Sequence, residues 1–196
     1  MKLRIATYNI HKGFSQFNRR MMVHELRDHL RLLGADIVFL QEVQGHHRRH
    51  AARFDNWPAE PQYEFLADEI WPEFAYGRNA VYDHGHHGNA ILSRYPIERA
   101  ENQDVSAHAF EQRGLLHCEI RIPGSDRLLH CLCVHLALNE HGRRHQVGAL
   151  IDRIHRMVPD DAPLVVAGDF NDWRNLIGKR LADALNLREA FRDRHG

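Results

Sequence analysis

Residues 3–42 read LRIATYNIHKGFSQFNRRMMVHELRDHLRLLGADIVFLQE. Apolar side chains dominate 3–9, which predicts a buried strand. Over 19–33, Met22, Leu26, Leu30 and Leu33 recur at helical spacing, and Gly34 supplies the stop. DIVFLQE at 36–42 predicts a second strand. Strand, helix and strand over this length make a βαβ unit, whose crossover lays the two strands parallel. The pattern returns near the other end. A strand at 128–135 leads to a helix at about 140–158, with Val147, Leu150, Ile151, Ile154 and Val158 on one stripe, and LVVAG at 164–168 is the next strand. Between the two units, 76–82, 88–93 and 115–122 read as strands, and the turn residues Pro123-Gly124-Ser125-Asp126 fold 115–122 and 128–135 into a hairpin. A last short helix is expected at 179–187. The sum is an α/β (α+β) chain of mixed sheets flanked by helices.

Composition narrows the class. The chain has 196 residues, 43% hydrophobic and 27% charged, which suits one domain (1–196) with a real core and excludes a disordered segment. Lys+Arg and Asp+Glu cancel at 26 each, against a strongly basic nucleic-acid module but not against a local positive patch. No apolar run has the length of a membrane span, and no basic-then-apolar leader opens the sequence. Cys131 and Cys133 share one face of a strand. With Cys118 they read as buried thiols in a reducing compartment, hence a cytoplasmic location. Seventeen histidines include His46, His47 and His50 and the group His84, His86 and His87. With no cysteine or carboxylate at ligand spacing, a polar histidine-rich loop is preferred over a zinc site.

Position carries the functional signal. Asn9, Glu42 and His135 each close an apolar strand, and Asp169 and Asn171 follow the strand 164–168. Each alone has a structural reading: a cap, a solvated strand end, a hydrogen-bonded core histidine, or a turn of Asp and Asn side chains. Together they place carboxylates, amides and an imidazole at carboxyl ends of strands, where open α/β sheets bind ligands. That set of hard oxygen and nitrogen ligands suits Mg2+, with Mn2+ as the alternative, holding a phosphate oxygen while a carboxylate activates water. Ser93 lacks a nucleophile-elbow frame, and no Walker loop or dinucleotide fingerprint is present.

TYNI at 7–10, LQEV at 40–43, GNAILSRYPI at 88–97, Arg113-Gly114, VHL at 134–136 and AGDFND at 167–172 follow one another in an order that resembles the endonuclease/exonuclease/phosphatase superfamily of DNase I-like enzymes. NIHKGF at 9–14, DNWP at 55–58 and FAYGRNAVY at 74–82 bring it closest to the YbhP-like bacterial branch. The resemblance implies a four-layer α-β-β-α sandwich of two facing mixed sheets, and a Mg2+-dependent phosphohydrolase, foremost a phosphodiesterase. It implies Glu42 as the main metal ligand with Asn9 holding the metal shell. Asp169 would orient or deprotonate the attacking water. Asn171 would position water and a phosphate oxygen. His135 would contact the phosphoryl group, and Asn89 and Arg113 would support substrate binding in the cleft. The substrate is a phosphate ester on a small molecule, a lipid headgroup or a nucleic acid.

Two departures from the family pattern follow. His11 stands where abasic-site nucleases carry Asp or Asn, which lowers a DNA-repair reading. The family's closing Ser-Asp-His motif is not matched by Arg194-His195-Gly196, and His195 is not given its role. The domain is therefore expected to lack C-terminal strands, leaving a sheet edge open to self-association. Three alternatives are a DNA or RNA nuclease of the same fold, a catalytically incomplete phosphate-binding module, and a histidine-based zinc protein. Specificity is expected in polar loops at 44–62 and 83–88.

Overall fold

A computed structural model describes residues 2–15, 20–108, 111–174 and 176–190. The strands are β1 (Ile5–Asn9), β2 (Ile37–His47), β3 (Glu73–Tyr82), β4 (Gly85–Ser93), β5 (Ile97–Asp104), β6 (Gly114–Ile120), β7 (Leu129–His135) and β8 (Leu164–Asp169). The helices are α1 (Val23–Leu33), α2 (Arg48–Arg53), α3 (Gln62–Ala67), α4 (Glu140–Met157) and α5 (Leu176–Leu185), with one 3-10 turn at His11–Gly13. The strands form two four-stranded sheets, ordered β1-β2-β4-β3 and β5-β6-β7-β8. Both are mixed: β1 runs parallel to β2 and β7 to β8, and the other neighbours are antiparallel. The two predicted βαβ units and the hairpin are therefore present.

Period-two alternation assigns each strand residue to a layer. Ile37, Phe39 and Ile91 of one sheet meet Leu116, Cys118, Cys131 and Cys133 of the other, filling the space between the sheets. Val38, Leu40, Ala90 and Leu92 point outward under Leu30, Phe65 and Leu66. Leu115, Leu132 and Val134 point outward under Val147, Leu150, Ile154, Ile177 and Leu181 of α4 and α5. Three apolar layers between helix, sheet, sheet and helix make the α-β-β-α sandwich. All three cysteines are free and buried, and burial pushes their thiols above the ordinary range.

Helix ends follow local chemistry. Gly34 closes α1 in the left-handed conformation (φ 57°), as its position after the stripe predicts. The side chain of Asn139 accepts from Gly142 N at 2.7 Å and caps α4. Helix α1 begins at Val23, later than the spacing suggests, and residue 19 lies outside the described residues, as do Arg194, His195 and Gly196.

Two expectations are corrected. Strand β1 is not buried: it is an edge strand, paired on one side only among the described residues, and Ile5 and Tyr8 are exposed. The segments 44–62 and 83–88 are largely ordered elements. Strand β2 continues to His47 because β4 continues with it, pairing Gln44 with His87 and His47 with Gly85.

Candidate active site

Strand β1 ends at Asn9 beside Gln41 of β2, which does not close at Glu42 as expected but runs on past a bulge there, and β7 and β8 end side by side in the other sheet. Parallel pairing puts carboxyl ends together, which brings Asn9, Glu42, His135 and Asp169 to the same end of the sandwich. Asn9 Nδ2 donates to Glu42 Oε1 at 3.4 Å and to Asp169 Oδ2 at 3.0 Å, so one amide joins carboxylates from the two sheets. Asn9 Oδ1 accepts from His11 N at 3.0 Å, which fixes the amide's orientation. His135 Nε2 lies 3.7 Å from Asp169 Oδ2. Asn171 N donates to Asp169 Oδ1 at 3.1 Å, and Asn171 Nδ2 donates to Leu136 O at 2.7 Å.

The backbone is distorted where these groups emerge. Glu42 has φ 56° and sits at a break in register between Leu40 and Val43, a bulge that turns its carboxylate out of the pleat. Asn171 has φ 49°, a conformation asparagine tolerates. Gly168, just before Asp169, has φ 148°, and a Cβ there would lie 1.9 Å from Val134 O. Left-handed backbone at non-glycine residues costs about 1–2 kcal/mol each and gathers at functional sites.

Burial keeps His135 below its usual pKa. The Arg113 guanidinium adds to this, and Asp169, Glu42 and Glu111 oppose it. His135 is therefore harder to protonate than a free imidazole. Arg113 pairs with Glu111 (Nη2 to Oε1, 3.0 Å), and its buried Nε has no partner among the described residues. Asn89 Nδ2 donates to Gly114 O at 2.9 Å and Cys133 O at 3.3 Å, tying β4 to the facing sheet. The buried Asn89 Oδ1 has no partner among the described residues. Buried polar atoms left open at one site are what a ligand or ion would complete.

Three neighbours escape a reading of strand ends. His87 faces the charges of Lys12, Glu42, Arg113 and His135, and burial pushes it down to about 4. Glu111 orients Arg113 and also accepts from Leu138 N at 3.2 Å. Lys12 sits on the 3-10 turn with φ 60°. Of these, only His87 carried a signal, within the histidine group.

The histidine groups do not make the zinc sites considered for them. His86 and His87 fall on opposite faces of β4, with His86 Nδ1 2.9 Å from Tyr76 Oη. His47 and His50 stack at 3.6 Å between ring centres. A different trio has metal-ligand spacing: His117, Glu119 and His130, on the β6–β7 hairpin, with ligand atoms all within 4.8 Å of one another. Arg153 Nε donates to His117 Nδ1 at 3.2 Å, which puts the imidazole proton on Nε2, facing His130 Nδ1 at 2.9 Å. A metal there has to displace that proton.

The chain belongs to the Endonuclease/Exonuclease/phosphatase family, whose profile matches residues 6–195. That family consists of phosphoric ester hydrolases and includes phosphodiesterases and nucleases. The chain is similar to YbhP of Escherichia coli (strain K12), 51% identical over 193 residues, which cover 98% of this chain and 76% of that protein. Among solved structures, an endonuclease/exonuclease/phosphatase from Beutenbergia cavernae DSM 12333 superposes with TM-score 0.74 at 20% identity. That match covers 93% of this chain and 53% of that one, so the chain spans about half the length of the Beutenbergia structure. A beta-hairpin deletion mutant of beta toxin from Staphylococcus aureus superposes with TM-score 0.68 at 16% identity, over 96% of this chain and 74% of that one. At these identities the two structures speak for the fold. No helix among the described residues is long and apolar enough to cross a membrane.

Proposed function

We propose that the protein is a Mg2+-dependent phosphodiesterase that directs water onto a phosphate ester. The observation that carries this reading is the Asn9 amide bridging Glu42 and Asp169, with His135 at 3.7 Å. The donor set fits a hard divalent cation, because the carboxylates of Glu42 and Asp169 meet at one Asn9 amide with no thiolate beside them. Glu42 would hold the ion with Asn9 bracing it. Bound there, the cation would polarise the phosphoryl oxygens.

The chain's own residues supply the rest. Asp169 is held by donors on both oxygens, so its carboxylate is aimed before substrate arrives and can take the proton of the attacking water. His135 donates an imidazole N–H to a phosphoryl oxygen, where negative charge grows. Asn171 keeps the loop beside Asp169 in place and orients the water. Arg113, with an unspent Nε–H, binds a phosphate oxygen, and Asn89 holds the cleft open between the sheets. The buried thiols support a reducing, cytoplasmic location.

The test is hydrolysis of bis-p-nitrophenyl phosphate in Mg2+ and in EDTA, comparing the wild type with Glu42→Ala and Asp169→Ala. Turnover that needs Mg2+ and is lost in both variants is expected. Full Mg2+-dependent turnover in Glu42→Ala overturns the reading. Mg2+ binding without turnover favours a phosphate-binding module.

A further inference from the structure

Where the chain leaves β8 toward α5 lies a cavity of about 500 Å³, closed on its other side by the first turns of α4. Two of its lining residues lie close in sequence or by hydrogen bond to the segments that follow Asp169 and His135. Asp172 lines it, three residues after Asp169, and its Oδ2 accepts from Ile177 N at 2.6 Å, which starts α5. Arg143 lines it too and donates to the carbonyls of Ala137 and Leu138, just after His135.

The lining has a distinct chemistry. Arg143, Arg144, Arg174 and Arg180 all face it. Arg144 pairs with Glu140, whereas Arg143, Arg174 and Arg180 make no ion pair among the described residues. Trp173 stands among them with 88% of its surface exposed. The chain's formal net charge is zero, so this is a local concentration of positive charge. Uncompensated guanidinium groups recognise phosphates, and an exposed indole is a platform for a flat ring. A lipid headgroup diester would use the charges but leave the indole bare. Phosphates spaced along a chain with a ring between them use both.

We infer that this groove binds the nucleotides flanking the scissile phosphate of a single-stranded nucleic acid, with Trp173 stacking on a base and Arg143, Arg174 and Arg180 holding backbone phosphates. The inference rests on the phosphodiesterase reading for which bond is cut, and on the groove's own residues for what is held.

The experiment is binding of a fluorescein-labelled octathymidylate to the full chain in EDTA, followed by anisotropy and by quenching of tryptophan emission. Trp71 is buried and Trp57 is partly buried against the core, so the loss of quenching in Trp173→Ala reports whether the contact is made by Trp173. Trp173→Ala should weaken binding by about five- to a hundred-fold. Arg174→Ala and Arg180→Ala should each flatten the dependence of log affinity on log salt by about 0.7. Inorganic polyphosphate should compete weakly and leave tryptophan emission unchanged, and glycerophosphocholine should not compete. Polyphosphate binding as tightly as the oligonucleotide overturns the inference, as does oligonucleotide binding indifferent to Trp173→Ala. Because EDTA removes catalysis, the two readings fail separately. Binding without diester hydrolysis leaves the groove standing, whereas wild-type hydrolysis without oligonucleotide binding sinks the groove alone.

Discussion

At the scale of the residue, function and stability pull against each other at Glu42. Its φ of 56° is a conformation a glutamate adopts at a cost, and its carboxylate stands near that of Asp169 through a shared amide. Asparagine accepts this backbone more readily and carries no charge. Glu42→Asn should therefore raise the unfolding free energy by about 1 kcal/mol, read as a higher Tm, while Mg2+-dependent turnover falls by about 10²-fold or more. A lower Tm would show that the bulge depends on the glutamate itself. Asp169→Asn keeps the shape and one of the two accepted hydrogen bonds but cannot take a proton, so kcat should drop about 10²–10⁴-fold with the fold intact by circular dichroism. Asn9, Glu42, His135, Asp169 and Asn171 were legible in the sequence because each follows an apolar run. His87 and Glu111 were not, because their roles come from register: His87 is brought to Glu42 by the pairing of β4 with β2, and Glu111 matters through Arg113 and Leu138.

At the scale of the element, close approaches and buried hydrogen bonds set what each strand and helix can tolerate. Gly168 lets β8 pass Val134 and deliver Asp169. Gly168→Ala adds a methyl 1.9 Å from a carbonyl oxygen and should cost more than about 2 kcal/mol in chemical denaturation. Helix α4 is fastened to the sheet by Arg153, which reaches Glu101 at 2.7 Å, Gln103 and His117. Burial pushes His117 from 6.5 down to about 4, and the Arg153 charge acts in the same direction. Between those pH values the unfolded chain binds a proton that the folded chain does not, so stability falls as pH drops from about 6.5 toward 4. His117→Gln should lessen that fall by about 1.4 kcal/mol per pH unit in urea melts, and an unchanged slope would place the proton uptake on other histidines. Strands and helices with a clear period were legible. Strand β5 was not: IERAENQD is polar over most of its length because it lies at a sheet edge. The six-residue helices α2 and α3 are too short to show a stripe, and tertiary packing fixes them.

At the scale of the whole molecule, the sandwich is held by three apolar layers but ends in open edges. Strands β1 and β8 lie against each other across the sandwich, each without a partner on its outer side among the described residues, with Ile5 and Tyr8 exposed on β1. Unpaired strand amides beside apolar side chains favour pairing with another copy. Size-exclusion chromatography with light scattering should show association that grows with protein concentration, and a monomer at every concentration would count against it. The layers were legible from alternation within strands. The edges were not, because a run of apolar residues such as LRIATYN states what a strand prefers and not how many neighbours it has.

The bridge formed by Asn9 has a mechanical meaning. One carboxylate that it touches belongs to each sheet, so the site works as a gauge of the distance between them. Loosening of the layer that holds Cys118, Cys131 and Cys133 would part Glu42 from Asp169 before any strand melted. Heat should accordingly abolish catalysis several degrees before it abolishes the far-ultraviolet signal of the strands.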